Sequence, residues 1–482
     1  MCMKSILSLA IALVSSTVFA QNIDDVVRYS QTNTGGTAVS LGMGGATGAI
    51  GGDFSSASIN PAGLGLYRQS ELVISPSIFN FTGNADYYGT SESDRKFNFN
   101  INNLHLVLHS PALNRLKKKG WMGTTIGIGY NKRTNLSERY TFRGVNPSGS
   151  IVNAWVGAAN GLSPANLPTD LDLAYNAFLI DTTINDTTYA SLLGPRFGGI
   201  TQRGTSESRG RIGETNIAFA TNYSNRLYLG ATLAIRRIVY ENTFTYTERD
   251  DADTIGGFDN LKYTRTLNDK AISVALNVGA IYRVADFLRL GVSAYVPLDY
   301  SVTTNYSYEV SSSLSDGDHF PFEVTGNYKY RLRQPARLTG SAAFILGKRG
   351  ILSVDYETMN YSRSKFSDDS GVFDKTNDAI RNKLANTGNL RIGGEARFQD
   401  MYLRGGFQLI GSPYSSAENN QGITSYSIGG GYRESDFFID IAYVYSQQKK
   451  NFYPYNPDLS NVSPAAISMN RHNVVVSVGT RF

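Results

Sequence analysis

The stretch GMGGATGAIGGD at residues 42–53, which runs on to NPAGL at residues 60–64, decides how the rest of the chain is organised. It holds too many glycines for a stable helix and too few large side chains to build a core of its own. In the chain that follows it, apolar and polar residues alternate in segment after segment. We therefore expect a small, tightly folded segment enclosed by a larger β-structure. A closed β-barrel with this segment as its plug meets both conditions.

The same residues carry a resemblance to a known family. The runs LGMGGA at 41–46, GD at 52–53, SSA at 55–57 and NPAGL at 60–64 resemble the N-terminal plug of long-chain fatty-acid transporters of the outer membrane, the FadL and TodX type. The resemblance implies a fourteen-stranded transmembrane barrel, a plug that faces the periplasm and hydrophobic small molecules as cargo. It also implies that the plug motif comprises Gly42, Gly44, Gly45, Asp53, Asn60, Pro61, Ala62 and Gly63.

Two simpler interpretations of these residues are a nucleotide-binding loop and an ordinary turn. A dinucleotide-binding loop beginning at Gly42 needs a third glycine at position 47, where the chain has Thr47. Asn60-Pro61 is also an ordinary turn-initiating pair. The nucleotide reading fails on its spacing, and the turn reading leaves the neighbouring motifs unexplained.

The first twenty residues predict a secretory signal peptide. Lys4 supplies the positive start, residues 6–14 an apolar run, and Val18-Phe19-Ala20 a cleavage site. Cys2, the only cysteine, lies within this segment, so the mature chain is expected to have no thiol chemistry, cysteine-based metal site or disulfide. We predict a signal peptide at 1–20, a plug at 21–69 and a transmembrane barrel at 70–482.

Composition favours a membrane barrel over a nucleic-acid-binding protein. The chain has 30 Tyr and 24 Phe but only 2 Trp, and amphipathic tyrosines suit both interfaces of an outer membrane. The formal charge of +5 is spread thinly, with Lys117-Lys118-Lys119 as its one basic run. We expect no nucleic-acid partner.

Alternation with period two predicts fourteen antiparallel strands, an even number that lets the sheet close. Short connections near 223–225, 285–286, 347–350, 399–400 and 434–435 alternate with long ones, of which 144–210 is the longest. Short periplasmic turns and long outer loops are typical of outer-membrane barrels. The last strand ends in Phe482, which resembles the signal read by the barrel-assembly machinery. We predict an all-β protein of the bacterial outer membrane, in contact with its lipid.

No residue pattern predicts an enzyme, a metal site or a cofactor. His105 and His109 share a strand face but lie about 13 Å apart, too far to hold one metal ion. His319 and His472 are isolated in the sequence. The acidic runs at 250–253 and 368–369 lack the glycine and terminal carboxylate of a calcium loop.

The long loop is one candidate for contact with cargo. Thr169-Asp170 is a possible helix cap, and Leu171, Tyr175 and Phe178 would follow on one helical face. Such a face could form an apolar groove outside the membrane. Packing of the loop against itself explains the same pattern equally well.

A basic row on the strand predicted over residues 319–346 is the other candidate. Lys329, Arg331 and Arg333 fall on one face, predicted to line the bore with Arg337, where they could hold a carboxylate. Tyr328, Tyr330 and Leu332 would then face lipid. The competing interpretation pairs these cations with carboxylates of the wall, namely Asp355, Glu357, Glu395 or Asp440. Pro335 must bend this strand or leave it locally unpaired.

The function predicted from these features is passive transport of hydrophobic small molecules. Cargo would bind the outer loops and leave past the plug or sideways through a strand kink, as the resemblance implies. Fatty acids, aromatic hydrocarbons and haem-like molecules are all compatible with the sequence. The alternatives are an assembly role as a docking partner for a secretion or surface-protein system, and an open porin.

Overall fold

Strands form most of the molecule. The structure is a computed structural model that describes residues 23–482, except for 32, 34, 113–118, 184, 192, 194–198, 369–370 and 417–419. The predicted signal peptide lies outside the described residues. The strands are β1 Glu71–Tyr87, β2 Thr90–Pro111, β3 Trp121–Asn135, β4 Glu138–Asn146, β5 Ile180–Thr182, β6 Tyr189–Ser191, β7 Ile200–Tyr223, β8 Leu227–Arg249, β9 Asn260–Ala285, β10 Leu288–Pro297, β11 Tyr300–Ser313, β12 His319–Arg333, β13 Arg337–Ile345, β14 Gly350–Asn360, β15 Lys365–Ser367, β16 Asn386–Phe398, β17 Met401–Ile410, β18 Ile423–Arg433, β19 Phe437–Phe452 and β20 Ala465–Arg481.

The main sheet closes on itself. It contains 18 strands, and its first strand pairs with β2 on one side and with the last strand, β20, on the other. We call each full-length strand of the barrel a stave. Four staves are split into two segments, namely β3/β4, β10/β11, β12/β13 and β14/β15, so the sheet has 14 staves. All the pairings are antiparallel. The predicted fourteen-stranded antiparallel barrel is confirmed, and closure leaves no unpaired edge between first and last strand.

Near the short turns, which we call the lower part of the barrel, apolar and polar side chains lie on opposite faces of the sheet. On β19, Phe437, Ile439 and Ile441 are 47%, 40% and 51% exposed, whereas Asp440 between them is fully buried. The exposed apolar side chains form a belt on the outside of the barrel, and polar side chains line the bore. This arrangement is the inverse of a soluble protein and suits a barrel surrounded by lipid.

The described helices are short, and none of them belongs to a barrel strand. They are α1 Ile23–Ser30, α2 Ala38–Gly42, α3 Ser56–Ile59, α4 Ile151–Ala159, α5 Thr169–Asn176 and α6 Asp374–Lys383, with a 3₁₀ turn over Pro61–Leu66. Among the described residues, no helix is long and apolar enough to cross a membrane.

Most connections follow the predicted division into short and long. The connection between the first two strands is an exception at the long-loop end, because β1 and β2 meet in a two-residue turn at Tyr88-Gly89. Both turn residues have positive φ, 42° and 79°, which fits the hairpin turn whose twist matches that of the strands.

The N-terminal segment, defined here as residues 35–67, packs against the inner surface of staves on several sides of the sheet. Gly48 donates its N–H to Asp355 on β14 at 2.9 Å, and Ala38 donates to Ser477 on β20 at 2.8 Å. On the side of the barrel opposite β20, Ser293 of β10 donates to the carbonyl of Ile59 at 2.7 Å. The segment is therefore enclosed by the strands that contact it.

Two staves bend sharply. The predicted bend at Gln334-Pro335 is present, since β12 ends at Arg333 and β13 begins at Arg337. A second bend separates β3 from β4. The ladder between β2 and β3 stops at Asn103, and β4 forms a ladder with β7 but not with β2. A Cβ on Gly83 of β1 would lie 2.6 Å from the carbonyl oxygen of Arg139, so β4 passes over the inner face of β1.

Adjacent glycines on β17 allow a test of this packing. A Cβ on Gly406 would lie 2.1 Å from the backbone nitrogen of Gly44, whereas one on Gly405 would meet nothing within 4 Å. Gly406→Val should therefore displace the N-terminal segment while leaving the barrel closed, and Gly405→Val should be neutral. Amide exchange of residues 38–48 should rise sharply in the first variant alone. Equal protection in both variants would contradict the close contact.

Candidate functional site

The largest described cavity lies among the outer loops and has a volume of about 640 Å³. Its wall is rich in aromatic side chains, which come from α4, from the outer ends of β8, β9, β11 and β19, and from the loops beyond them. They are Trp155, Phe244, Tyr263, Tyr308, Tyr414, Phe452, Tyr453 and Tyr455. We call it the outer cavity. The wall also carries polar and charged side chains, among them Asp24, Asp170 and Arg265. Such a mixed lining suits a ligand with a large apolar part and a polar group.

A buried carboxylate anchors the loop that covers this cavity. Glu248 of β8 accepts hydrogen bonds from the Ile151 N–H at 2.9 Å, from Gln202 at 2.8 Å and from the Tyr246 hydroxyl at 2.7 Å. The Ser150 hydroxyl also donates to it, and the same hydroxyl caps the start of α4. Burial raises the pKa of Glu248 above its usual range. One side chain thus ties the beginning of α4 to the outer ends of two strands.

The raised pKa of Glu248 sets a pH dependence. A carboxyl whose pKa is higher in the folded state stabilises that state at low pH, and this contribution is lost as the pH rises through the folded pKa. Amide protection of residues 151–159, corrected for intrinsic exchange, should therefore decrease as the pH is raised from about 5 to about 8. Glu248→Gln, which cannot ionise, should remove this trend. The same trend in both proteins would show that another group controls the loop.

The outer cavity leads to two smaller ones. A middle cavity of about 190 Å³ shares its lining with the outer cavity at Asp24, Phe244, Arg265, Tyr414, Gln421, Asn451 and Phe452. An inner cavity of about 100 Å³ shares Asn33, Thr134, Asn135, Ile423 and Arg471 with the middle one. The inner cavity reaches Gly35, Leu41 and Gly44 of the N-terminal segment. Asn60, Pro61 and Ala62 do not line it. Three cavities therefore follow one another from the outer loops to residues 35–44.

The junction of the outer and middle cavities combines one cation with aromatic rings. The Arg265 guanidinium lies 5.9 Å from the centre of the Phe244 ring, and its Nε has no hydrogen-bond partner among the described residues. Asp24 of α1 reaches the same junction and accepts a hydrogen bond from the Tyr414 hydroxyl. The first helix of the described chain therefore forms part of this junction.

The inner cavity is polar. Lys132, Arg133, Asn100 and Asn102 line it, and Lys132 donates to the Asn100 side chain. Arg133 is only 4% exposed, yet within the described part of the chain its Nε and Nη1 lack hydrogen-bond partners. A buried guanidinium without a partner attracts an anion or water.

The residues of the predicted plug motif occupy tight positions. Asn60 donates to the carbonyls of Gly48 at 2.8 Å and Ala280 at 3.2 Å, and its side-chain oxygen accepts from the Ala62 N–H. Asp53 accepts from the Thr37 hydroxyl at 2.6 Å and from the Ser55 N–H at 2.8 Å. Asn60 thus links two parts of the segment to the wall, and Asp53 closes a loop within it.

The remaining motif residues are small because of what surrounds them. Gly44 and Gly45 have φ of 62° and 76°, which favours glycine at both positions. Gly42 lies against Arg404 and Gly429, and a Cβ on Gly63 would lie 2.8 Å from the Cβ of Ser56. Pro61 opens the 3₁₀ turn, and Ala62 is fully buried against Tyr228 and Ile281.

The predicted orientation of the basic row on β12 is wrong. Lys329, Arg331 and Arg333 are exposed on the outer surface, and Arg333 pairs with Asp299 at 3.3 Å. Tyr330 and Leu332, expected to face lipid, are buried instead. The lower end of this stave does follow the expected pattern, since Arg337 faces the bore and is 5% exposed. Gln334 and Pro335 are consecutive buried residues, so the break reverses the faces of the stave.

The predicted loop residues are only partly brought together. Leu171 is buried and lines the outer cavity, whereas Tyr175 packs edge-on against Tyr189. Phe178 lies beyond the end of α5, is 52% exposed and contacts the Phe320 ring. The expected cap at Thr169-Asp170 is wrong, because α5 begins at Thr169 and Pro168 precedes it without a side-chain capping bond.

Sequence reasoning missed the residues that form the junction, above all Arg265, Phe244 and Phe452. They lie on three separate strand extensions that the sequence assigns to ordinary barrel wall. The usable signal was the density of aromatic residues in these extensions, such as Tyr240, Phe244 and Tyr246 on β8 at spacings of two and four.

Solved structures of the same fold are known, although no family model matches the sequence and no curated protein matches it. The Pseudomonas putida toluene transporter TodX is 14% identical to this chain. The match covers 93% of this chain and 99% of the TodX chain, with a TM-score of 0.55. A FadL homologue from Pseudomonas aeruginosa is 12% identical, with 94% and 99% covered and a TM-score of 0.56. The chain has the FadL fold. The predicted resemblance and the predicted outer-membrane type of barrel are thereby confirmed at the level of fold.

Proposed function

We propose that this chain is a passive outer-membrane channel for hydrophobic small molecules. The observation that supports the proposal most is the series of three cavities that starts in an aromatic chamber among the outer loops and ends at residues 35–44. The shared fold with structures described as a toluene transporter and a FadL homologue points the same way. We assign no catalytic role to any residue.

The proposed domain organisation follows from the same picture. A signal peptide at 1–20 directs export, residues 21–69 act as a plug, and residues 70–482 form the barrel. The main-chain hydrogen bonds of Gly48 and Ile59 with the wall, and that of the Asn60 side chain, support a plug that closes the bore. Phe482, which is 65% exposed at the end of the last stave, is the proposed contact for the assembly machinery.

Within the class of hydrophobic molecules, we favour cargo that carries a carboxylate, such as a long-chain fatty acid. Arg265 stands at the exit of the outer cavity, and Arg133 lies at the end of the series. Both have guanidinium nitrogens without partners among the described residues. A carboxylate could satisfy either one in turn while its tail stays among the aromatic rings.

Release sideways is the proposed route out of the inner cavity. Asn100 and Asn102 on β2 and residues 132–135 on β3 line that cavity, where pairing between β2 and the next stave has ended. Because β4 turns inward and pairs with β7, this part of β2 has a ladder of hydrogen bonds with β1 alone. The inner cavity lies beside the β3/β4 bend, and Pro335 does not line it.

The two tryptophans allow a direct test of cargo binding. Trp155 lines the outer cavity and packs edge-on against Tyr263 at 5.9 Å, whereas Trp121 is exposed at the opposite end of the barrel. In a Trp121→Phe background, a brominated long-chain fatty acid should quench the remaining fluorescence in a saturable manner. Unbrominated acid should reverse the quenching. Quenching that never saturates, or none at all, would contradict cargo binding and favour an assembly role.

The same assay tests the carboxylate preference. Arg265→Gln should weaken binding of the brominated acid about tenfold or more, because a hydrogen bond to a charged group is lost. It should leave the affinity for the matching brominated alcohol unchanged. Lys262→Gln, on the same strand but exposed and paired with Glu309, is the matched control. An equal loss for acid and alcohol would assign Arg265 a purely structural role.

A further inference from the structure

Three cations lie together in two neighbouring turns at the short-turn end of the barrel. Lys348 and Arg349 belong to the turn between β13 and β14, and Arg397 lies next to the turn between β16 and β17. The Arg397 N–H donates to the Arg349 carbonyl at 2.8 Å, which holds the two turns side by side. All three side chains are exposed.

Within the two turns these cations outnumber the acidic side chains, and Glu434 and Asp436 belong to the next turn along the barrel. Asp400 is the one acidic side chain in the two turns, against three cations. Glu395, two residues before Arg397, binds Arg404 on the inner side of the wall at 2.7 Å. Among the described residues none of these three cations forms an ion pair, although the Arg397 Nε donates to the Gln399 carbonyl at 2.9 Å and its guanidinium lies 5.3 Å from the centre of the Tyr402 ring. The corner therefore carries a local excess of positive charge.

An apolar surface begins directly beside the cations. Six side chains on the outer face of β13, β14, β16 and β17 and their turns are 40% to 63% exposed, and cross-strand pairing brings Phe344 beside Leu352 and Phe398 beside Met401. They are Phe344, Leu346, Leu352, Phe398, Met401 and Leu403. This strip belongs to the outward belt, so lipid chains cover it in a membrane.

We propose that this corner is a binding site for an anionic phospholipid of the membrane leaflet at the short-turn end. The acyl chains would lie along the strip of Phe344, Leu352 and Leu403, and the phosphate would bind Lys348, Arg349 and Arg397. A cationic cluster at the edge of an apolar surface matches both halves of such a lipid. A free inorganic anion would leave the apolar strip unused, which is why the occupant is a lipid. This proposal is independent of the cargo that the channel carries.

Competition between lipids tests the site on the purified full-length chain. After incubation in detergent with equal amounts of phosphatidylglycerol and phosphatidylcholine, native mass spectrometry should show retention of the anionic lipid in clear excess. The preference should disappear in the triple variant Lys348→Gln, Arg349→Gln and Arg397→Gln. Each cation that is removed should lower the ratio of anionic to zwitterionic lipid about fivefold. Inorganic phosphate at millimolar concentration should not displace the lipid.

A charge-matched variant serves as the control. Arg143→Gln, Arg203→Gln and Lys449→Gln remove three exposed cations near the long-loop end and should leave the preference intact. If the triple turn variant fails to fold, Lys348→Gln alone, in an exposed turn, should still lower the preference about fivefold. An unchanged lipid ratio in the turn variants, an equal loss in the control, or displacement by phosphate would each overturn the proposal.

Discussion

The structure depends on main-chain contact between the N-terminal segment and the barrel wall. A Cβ on Gly393 would lie 2.2 Å from the carbonyl oxygen of Met43, and one on Gly279 would lie 2.0 Å from the side-chain oxygen of Asn60. Side chains at these wall positions would push the segment out of contact. Glycine on both sides lets two backbones approach as closely as their hydrogen-bonding groups allow. The closed sheet can hold the segment this closely because the wall has glycine at the points of closest approach.

Much of the barrel could be predicted from sequence because lipid and bore impose opposite preferences on alternate residues. Phe437, Ile439 and Ile441 face out as expected, and Asp440 faces in. The same rule fails on the outer part of β12, where Tyr330 and Leu332 are buried and Lys329 is exposed. Beyond the belt the strands leave the lipid, so water lies outside and the packed loops lie inside. Apolar residues there face inward, so a rule that assumes lipid outside the barrel assigns each side chain to the wrong face.

The charges of the bore illustrate what pattern alone could not show. Glu357 binds Arg391 at 3.0 Å and Asp440 binds Arg404 at 2.6 Å within the wall. Among the described residues of the predicted basic row, only Arg337 pairs with one of the proposed wall carboxylates, Glu357, at 3.6 Å. Such pairs join different strands, and which residues meet depends on register, which no local sequence feature specifies. The outer cavity has the same origin, because its aromatic rings come from segments distant in the sequence.

A single bend accounts for both the inner cavity and the discontinuity of the wall. Where β3 gives way to β4, the chain turns into the bore, and β4 crosses the inner face of β1. Beside this bend the inner cavity lies between residues 132–135 of β3 and the N-terminal segment, and the ladder between β2 and β3 ends at Asn103. An alkyl chain entering that space meets Lys132 and Arg133, whose N–H groups it cannot satisfy because it has no hydrogen-bond acceptor. The physical preference of an apolar tail is therefore for the unpaired side of β2, beyond which Phe97 and Phe99 face outward.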